Sequence, residues 1–341
     1  MKKTRSEAVS GASARCSAIA GALPTKRRPI LRGFFLVLML LVAAGAGGLV
    51  CWLGLRDPLA ALPRATGNPI AIGLTAEPRN GRTLQHVVLE APGVGRIGLA
   101  ISLPDPLPKR PLPIVMVLGG LATGERNIRH VPGGGDNAIV GYDWPAPTPL
   151  PQGWDFIRQA PDLYNRTLRV PGQIAAALDW LAGQGWADPD RTSLLGFSLG
   201  ALAAPAAQRL AELRGRAIGW TALAYGGSPV GALLAANPYM RPRWAAPILS
   251  RVADLVFRPV EPGEHLPHLR GRFLLVGSRD DAFVPEAAAR RMRDLAPEPR
   301  TVVLLEGGHM GVGADRQALL GEIIAVTTRW LADEKAVNPP S

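Results

Sequence analysis

Cysteine, aromatic side chains and charge are all scarce in this chain of 341 residues. It contains 2 Cys, 6% aromatic residues and 19% charged residues, whereas 47% of its residues are hydrophobic. Cys16 and Cys51 both lie near the N-terminus, so the rest of the chain has no thiol with which to form a disulfide. No internal repeat with a period of about 20 to 50 residues is visible, which excludes solenoids and propellers. Length and hydrophobic content predict one large globular domain with an additional segment attached.

Motifs for nucleotides, metals and nucleic acids are missing as well. No G-x-x-x-x-G-K-[ST] sequence occurs, and the glycines of Gly119–Gly124 do not have dinucleotide spacing. His265 and His268 are spaced like two metal ligands, but no further ligand is evident, so we expect a surface loop there. Positive charge is concentrated in residues 1–32 and the remaining Arg are scattered, which argues against a nucleic-acid partner. We therefore expect no cofactor, no bound metal and no nucleic acid.

The N-terminal region contains the one long uncharged run. Residues 33–55 are 23 residues without a charge, enough to cross about 30 Å of hydrocarbon as a helix. Residues 1–32 hold eight Lys or Arg against one Glu, and positive residues stay on the cytoplasmic side. We expect a basic cytoplasmic tail, a single-pass transmembrane anchor in the inner or plasma membrane, and a globular part outside. The alternative is a cleaved signal segment that releases an exported soluble form.

The remaining chain alternates between two kinds of hydrophobic pattern. Residues 56–83 are rich in Pro and Gly and are interpreted as a linker or lead-in. From residue 114 to the end, buried-type strands alternate with amphipathic helices, which predicts an α/β domain with a mainly parallel sheet. We place this domain at residues 84–333, with a partly helical insertion at residues 229–267.

A serine lies where one of these strands turns directly into a helix. Gly196–Gly200 has the pattern G-x-S-x-G, and a sharp turn there exposes the Ser198 hydroxyl beside the amides of the helix N-terminus. Of the five His, only His309 follows the last predicted strand. Asp280 and Asp281 follow the preceding strand. The order is therefore Ser, Asp, His, each at the carboxyl end of a strand, and in a parallel sheet those ends share one edge.

With these motifs the chain resembles the α/β-hydrolases. The region from Ile174 to Ser198, with Ala187–Arg191 before the strand, is similar to the dienelactone-hydrolase and prolyl-oligopeptidase-like branches. The resemblance covers about residues 84–333, and it is carried by three motifs: Gly196–Gly200, Asp281–Pro285 and Gly307–His309. It implies the α/β-hydrolase fold, which is a mostly parallel sheet with helices on both faces and a small cap insertion at residues 229–267. In this chain the fold would follow the predicted transmembrane helix.

The resemblance also implies roles for individual residues. Ser198 would be the nucleophile, His309 the general base and Asp281 the orienting acid. Asp280 is the rival acid, because its spacing from Gly277 also fits. The oxyanion hole would consist of backbone amides: Leu199, and Gly120 or Leu121. Many members have a His where this chain has Leu118, so the oxyanion loop departs from the pattern.

These features together predict a membrane-tethered serine hydrolase that cleaves a carboxylic ester through an acyl-enzyme. Its substrate would be a small-molecule or lipid-like ester. Two alternatives stay open at this point: a serine peptidase of the prolyl-oligopeptidase-like type, and a catalytically inactive hydrolase fold that serves as a binding module.

Overall fold

A computed structural model gives the placement of most of the chain. The described residues are 28–120, 123–129, 131, 134–146, 151, 153–310 and 316–338. The chain divides into two units, residues 1–51 and 52–341. The first helix, α1 (Arg28–Leu55), contains the uncharged segment. Among the described residues, no helix has both the length and the hydropathy to cross a membrane. This finding does not support the transmembrane anchor expected at residues 33–55, which stays a prediction.

The second unit is built on a nine-stranded sheet. Its strands are β1 (Ile70–Arg79), β2 (Arg82–Ala91), β3 (Gly95–Pro104), β4 (Leu112–Leu118), β5 (Ala138–Tyr142), β6 (Ala187–Phe197), β7 (Trp220–Ala224), β8 (Arg272–Ser278) and β9 (Arg300–Leu305). They lie in the order β1-β2-β3-β5-β4-β6-β7-β8-β9. The pairs β1–β2, β2–β3 and β3–β5 are antiparallel, and all pairs from β5 to β9 are parallel.

Helices connect these strands on both sides of the sheet. They are α2 (Gly124–Ile128), α3 (Gly153–Ala182), α4 (Leu199–Leu213), α5 (Val230–Ala236), α6 (Ala246–Val256), α7 (Pro262–His265), α8 (Glu286–Leu295) and α9 (Arg316–Asp333). The prediction of a mostly parallel sheet flanked by helices is confirmed. The segment 229–267 contains α5, α6 and α7 between β7 and β8; its role as a cap stays a prediction.

Side chains of the central strands alternate between two hydrophobic cores, as the period-two geometry of a strand requires. Met116 on β4 belongs to the core under α3 and α4, whereas its neighbours Val115 and Val117 belong to the core under α9. The first core is rich in Ala from the two helices, so these helices approach the sheet closely. The second core is covered by α9 and by the five-residue α2.

Two elements of the fold differ from what the sequence patterns predict. β1 lies inside the segment interpreted as a linker because of its Pro and Gly; Ile70, Ile72 and Leu74 alternate along it, but every residue of the strand is exposed. Residues 153–171 belong to α3, although the loop-rich sequence of residues 121–168 predicts a helix only from about Gly172. Pro161 and Pro171 lie inside this helix, and a proline ordinarily indicates a helix end. Pro171 belongs to the buried half of α3, which packs against α4 and the sheet, whereas Pro161 lies in the exposed half.

Candidate active site

Ser198 occupies a strained turn between β6 and α4. Its backbone has φ 51° and ψ −111°, a conformation that non-glycine residues rarely adopt. Its amide donates a hydrogen bond of 2.9 Å to the carbonyl of Ala224, which fixes the turn against β7. Glycine is required on both sides: a Cβ on Gly196 would lie 2.6 Å from the Gly200 carbonyl, and one on Gly200 would collide with the Leu118 carbonyl. The turn thus presents the hydroxyl at the carboxyl edge of the sheet.

The Ser198 hydroxyl begins a chain of two side-chain hydrogen bonds. Its Oγ lies 3.0 Å from Nε2 of His309, and Nδ1 of the same ring lies 2.7 Å from Oδ2 of Asp281. A carboxylate accepts only, so Nδ1 carries the proton. In the neutral ring Nε2 is then unprotonated and can accept the serine proton. The structure thus brings together the three residues that the sequence singled out.

The carboxylate of Asp281 is held from both of its oxygens. Oδ1 accepts the backbone amides of Phe283 at 2.8 Å and Val284 at 3.1 Å, and Oδ2 faces His309. The Asp281 side chain is only 2% exposed. Asp280, the rival acid, is exposed and makes no hydrogen bond to His309. The tight turn from Asp281 to Val284 explains why the second of the two acids points inward.

Two aromatic rings enclose the imidazole of His309. Phe283 lies with its ring centroid 5.0 Å away, and Tyr225 meets the imidazole edge-on at 5.7 Å. Burial, and then the charge of Asp281, raises the pKa of Tyr225 to about 12, so the phenol stays neutral. The ring centroid of Tyr239, from the insertion, lies 6.0 Å from that of Phe283. Phe283 lies within the motif Asp281–Pro285, but no sequence spacing indicated that its ring, or that of Tyr225, would face the imidazole.

The predicted oxyanion donors lie partly outside the described residues. Leu199 is the first residue of α4, and the first amides of a helix lack intrahelical partners. Gly120 lines the same cavity as Ser198. Leu121 is not among the described residues. The preceding carbonyl, that of Gly119, accepts a hydrogen bond of 3.2 Å from the Trp144 indole, which anchors the loop.

A polar side chain that the sequence did not point to lies beside this loop. Asn127, on α2, approaches Gly119 so closely that a Cβ there would collide with its amide. The Nδ2 of Asn127 is buried and has no hydrogen-bond partner among the described residues. Asn127 also lines the cavity that opens at Ser198. No motif contains it, since its position depends on how α2 packs under β4.

His265 is not in a surface loop, which corrects the expectation for the His265 and His268 pair. His265 is fully buried and its Nε2 lies 2.8 Å from the carbonyl of Pro259. Burial lowers its pKa to about 4. The reason is that α7 packs against α4. Within the described part of the chain, no group of three or more metal-ligating side chains is present.

Comparison with known proteins connects this geometry to a fold. No family model and no curated protein matches the sequence. Acetyl xylan esterase 1 from Thermoanaerobacterium sp. JW/SL YS485 is a structural match with a TM-score of 0.56 and 11% identity, over 79% of this chain and 91% of that one.

Two further solved structures match in the same way. An acetyl xylan esterase from Paenibacillus sp. R4 has a TM-score of 0.54 and 16% identity, over 80% of this chain and 99% of that one. A cold-adapted esterase from an Arctic intertidal metagenomic library has a TM-score of 0.53 and 15% identity, over 77% and 98%. Identities this low establish the fold alone. The sheet order, the strand–turn–helix at Ser198 and these matches together show that the chain has the α/β-hydrolase fold.

Proposed function

We propose that this protein is a serine hydrolase that cleaves carboxylic esters through an acyl-enzyme. The observation that carries the proposal is the hydrogen-bond chain from Ser198 through His309 to Asp281. Three of the structurally similar proteins are named as esterases, which favours an ester over a peptide substrate. Serine, base and acid are all in place, and this favours an enzyme over an inactive binding module.

In this proposal the Ser198 oxygen attacks the ester carbonyl while its proton passes to Nε2 of His309. Asp281 stabilises the resulting imidazolium and keeps the ring oriented. The carbonyl oxygen becomes an oxyanion, for which the amides of Leu199 and Gly120 are the donors. His309 then gives its proton to the leaving alcohol, and the acyl-enzyme forms. A water molecule attacks the acyl-enzyme by the reverse sequence and releases the acid.

The test uses a fluorophosphonate probe and a p-nitrophenyl ester on the full chain. Wild type should become labelled and should hydrolyse the ester, and Ser198→Ala should lose both. Ser193→Ala is the matched control, because Ser193 is fully buried on β6, five residues before Ser198. Equal labelling of Ser198→Ala and wild type, or a folded wild type that neither reacts with the probe nor turns over ester, would overturn the proposal.

We further propose that residues 33–55 tether the enzyme to a membrane, with residues 1–32 cytoplasmic and the hydrolase domain outside. Support comes from the uncharged run and the basic flank. Full-length protein should stay in the membrane pellet through a carbonate wash. Replacing Leu40 and Leu41 by Arg should release it, since each Arg costs about 3 kcal/mol at a helix centre. Leu107→Arg, at an exposed loop position, is the control. Release of wild type by carbonate would contradict the tether.

A further inference from the structure

A long apolar cavity begins at Ser198 and continues beneath the sheet. Its volume is about 340 Å³, within the usual range for small-molecule sites. The floor consists of strand side chains and the roof of side chains from α9. Six of the apolar lining residues are Val115, Val117, Ile139, Leu195, Ile324 and Leu331.

The pairing of the strands gives the cavity its direction. Gly119, at the end of β4, and Ser198 line one end. Val115 lies four residues back along β4 and pairs with Ile139 on β5. Asn137, two residues before Ile139, lines the other end. At about 3.3 Å per residue the six steps from Gly119 to the level of Asn137 span roughly 20 Å.

Of the described polar residues that line the cavity away from Ser198, the buried ones are already engaged within the protein, and Thr328 is exposed. Asn137 donates from Nδ2 to the carbonyl of Asn338 at 2.9 Å and accepts the amide of Asn338 at 2.8 Å, so this pair forms the far end. Thr327 donates its hydroxyl to the carbonyl of Ile323. Among the described lining residues, Asn127, at the Ser198 end, has a buried side-chain donor without a partner, its Nδ2 amide. This distribution suits a ligand with one polar end and a long hydrocarbon end.

We propose that this cavity holds the acyl chain of the substrate, and that the enzyme acts on esters of medium- and long-chain fatty acids. The carbonyl lies at Ser198, and the chain runs along Val117 and Val115 toward Asn137. None of the lining residues belongs to residues 229–267, so acyl length is set under the sheet and not by the insertion. This inference rests on the proposed function, since the acyl group is positioned by attack of Ser198.

Two block variants, whose larger side chains fill part of the cavity, and one control variant test the inference. Val115→Phe fills the middle of the cavity from the floor, and Ala332→Trp narrows the far end from α9. Ala332 is exposed, so its variant should fold even if Val115→Phe does not. Ala325→Trp is the matched control: Ala325 is an exposed alanine on the same helix that does not line the cavity.

The first measurement is kcat/KM for p-nitrophenyl acetate, butyrate, octanoate, dodecanoate and palmitate. In wild type it should rise from acetate to dodecanoate, by up to roughly fourfold for each methylene that is buried. Val115→Phe should lower the dodecanoate value at least about tenfold relative to acetate, and Ala332→Trp should lower palmitate most. Ala325→Trp should keep the wild-type profile. A wild-type preference for acetate, or an unchanged profile in both block variants, overturns the acyl-chain site and leaves the esterase proposal standing.

The second measurement is fatty-acid binding without catalysis, which tests the acyl-chain site independently of the esterase proposal. Ser198→Ala should bind a fluorescent fatty acid, and dodecanoate should displace it. Adding Val115→Phe or Ala332→Trp in that background should weaken binding at least about tenfold, whereas adding Ala325→Trp should not. If these binding effects are found but the wild-type protein cleaves no ester, the hydrocarbon site is supported and the hydrolase proposal is overturned. Equal binding in all backgrounds overturns the site.

Discussion

The two faces of the sheet are packed in different ways. Beneath α3 and α4 the core is continuous, and small side chains such as Ala204 and Ala207 bring the helix backbones close to the strands. Beneath α9 the same strands border a cavity of about 340 Å³. The neighbouring α2 is only five residues long and covers little of the sheet.

This difference separates stability from substrate binding. Protein interiors are close-packed, and a large apolar void costs the contacts that would have filled it. A face with such a void contributes less to folding and leaves room for a ligand. Ser198 lies on the shared edge, with its backbone fixed by the strands and its hydroxyl at the mouth of the cavity. We therefore expect substitutions on the two faces to have different consequences.

The largest effect on activity is expected at the carboxyl edge of the sheet, where the carboxylate of Asp281 orients His309. Asp281→Asn should lower kcat by roughly 10⁴-fold while the fold is retained, because the amide does not enforce the correct imidazole tautomer. Asp280→Asn should change kcat by less than about threefold, because Asp280 is exposed. Steady-state kinetics on one ester give both values. A large loss in Asp280→Asn with little loss in Asp281→Asn would identify the other carboxylate as the acid.

The packed face should resist added volume. Ala207→Leu inserts methylenes into a fully buried position on α4 and should lower the free energy of unfolding by up to about 3 kcal/mol. Urea unfolding of wild type and variant, at equal m-value, measures this difference. A variant as stable as wild type would mean that this face also has room, and the contrast between the faces would disappear.

The free energy of unfolding should depend on pH through His265, which lies on the face covered by α3 and α4. Its folded pKa, about 4, lies below the unfolded value near 6.5, so the unfolded state binds more protons between these values. Stability from this residue is fully present above pH 6.5 and is lost as the pH falls toward 4. Wild type should lose about 2 kcal/mol more than His265→Gln between pH 7 and pH 5. Parallel stability curves for the two proteins would contradict the lowered pKa.

The smallest effect is expected on the cavity face. Thr328, on α9, lines the cavity and is exposed. Thr328→Leu adds apolar volume where space is available and improves helix propensity, so the free energy of unfolding should change by less than about 0.5 kcal/mol or rise slightly. The same urea titration used for Ala207→Leu measures it. Destabilisation equal to that of Ala207→Leu would show that the two faces are equally dense.

Much of the sheet and of the candidate site could be predicted from local patterns. The apolar runs at Ile114–Leu118 and Phe273–Val276 lie within β4 and β8. The glycines around Ser198 indicated a strand–turn–helix because only small residues permit that turn. Chain order placed His309 and an Asp after successive strands. In each case the signal lies within a few adjacent residues, or in the rule that parallel strands end at one edge.

Sequence alone could not choose between neighbouring acids or place the isolated elements. Asp280 and Asp281 differ by one position, and the choice depends on which side chain accepts the amides of Phe283 and Val284. The strand β1 lies in a Pro- and Gly-rich stretch, and its alternating Ile70, Ile72 and Leu74 stay exposed, so burial in the core does not specify it. These features follow from contacts that form only after the chain has folded.

The sequence by itself determined the α/β order of elements, the strained serine turn and the residue types of the site, because short-range geometry and side-chain chemistry specify them. Only the tertiary structure decided that His265 is buried and that Asn127 lies beside Gly119. It alone also decided that the strand face under α9 borders a cavity. The physical reason is that burial and empty volume depend on the lengths and approach distances of several helices at once, and no local segment encodes that sum.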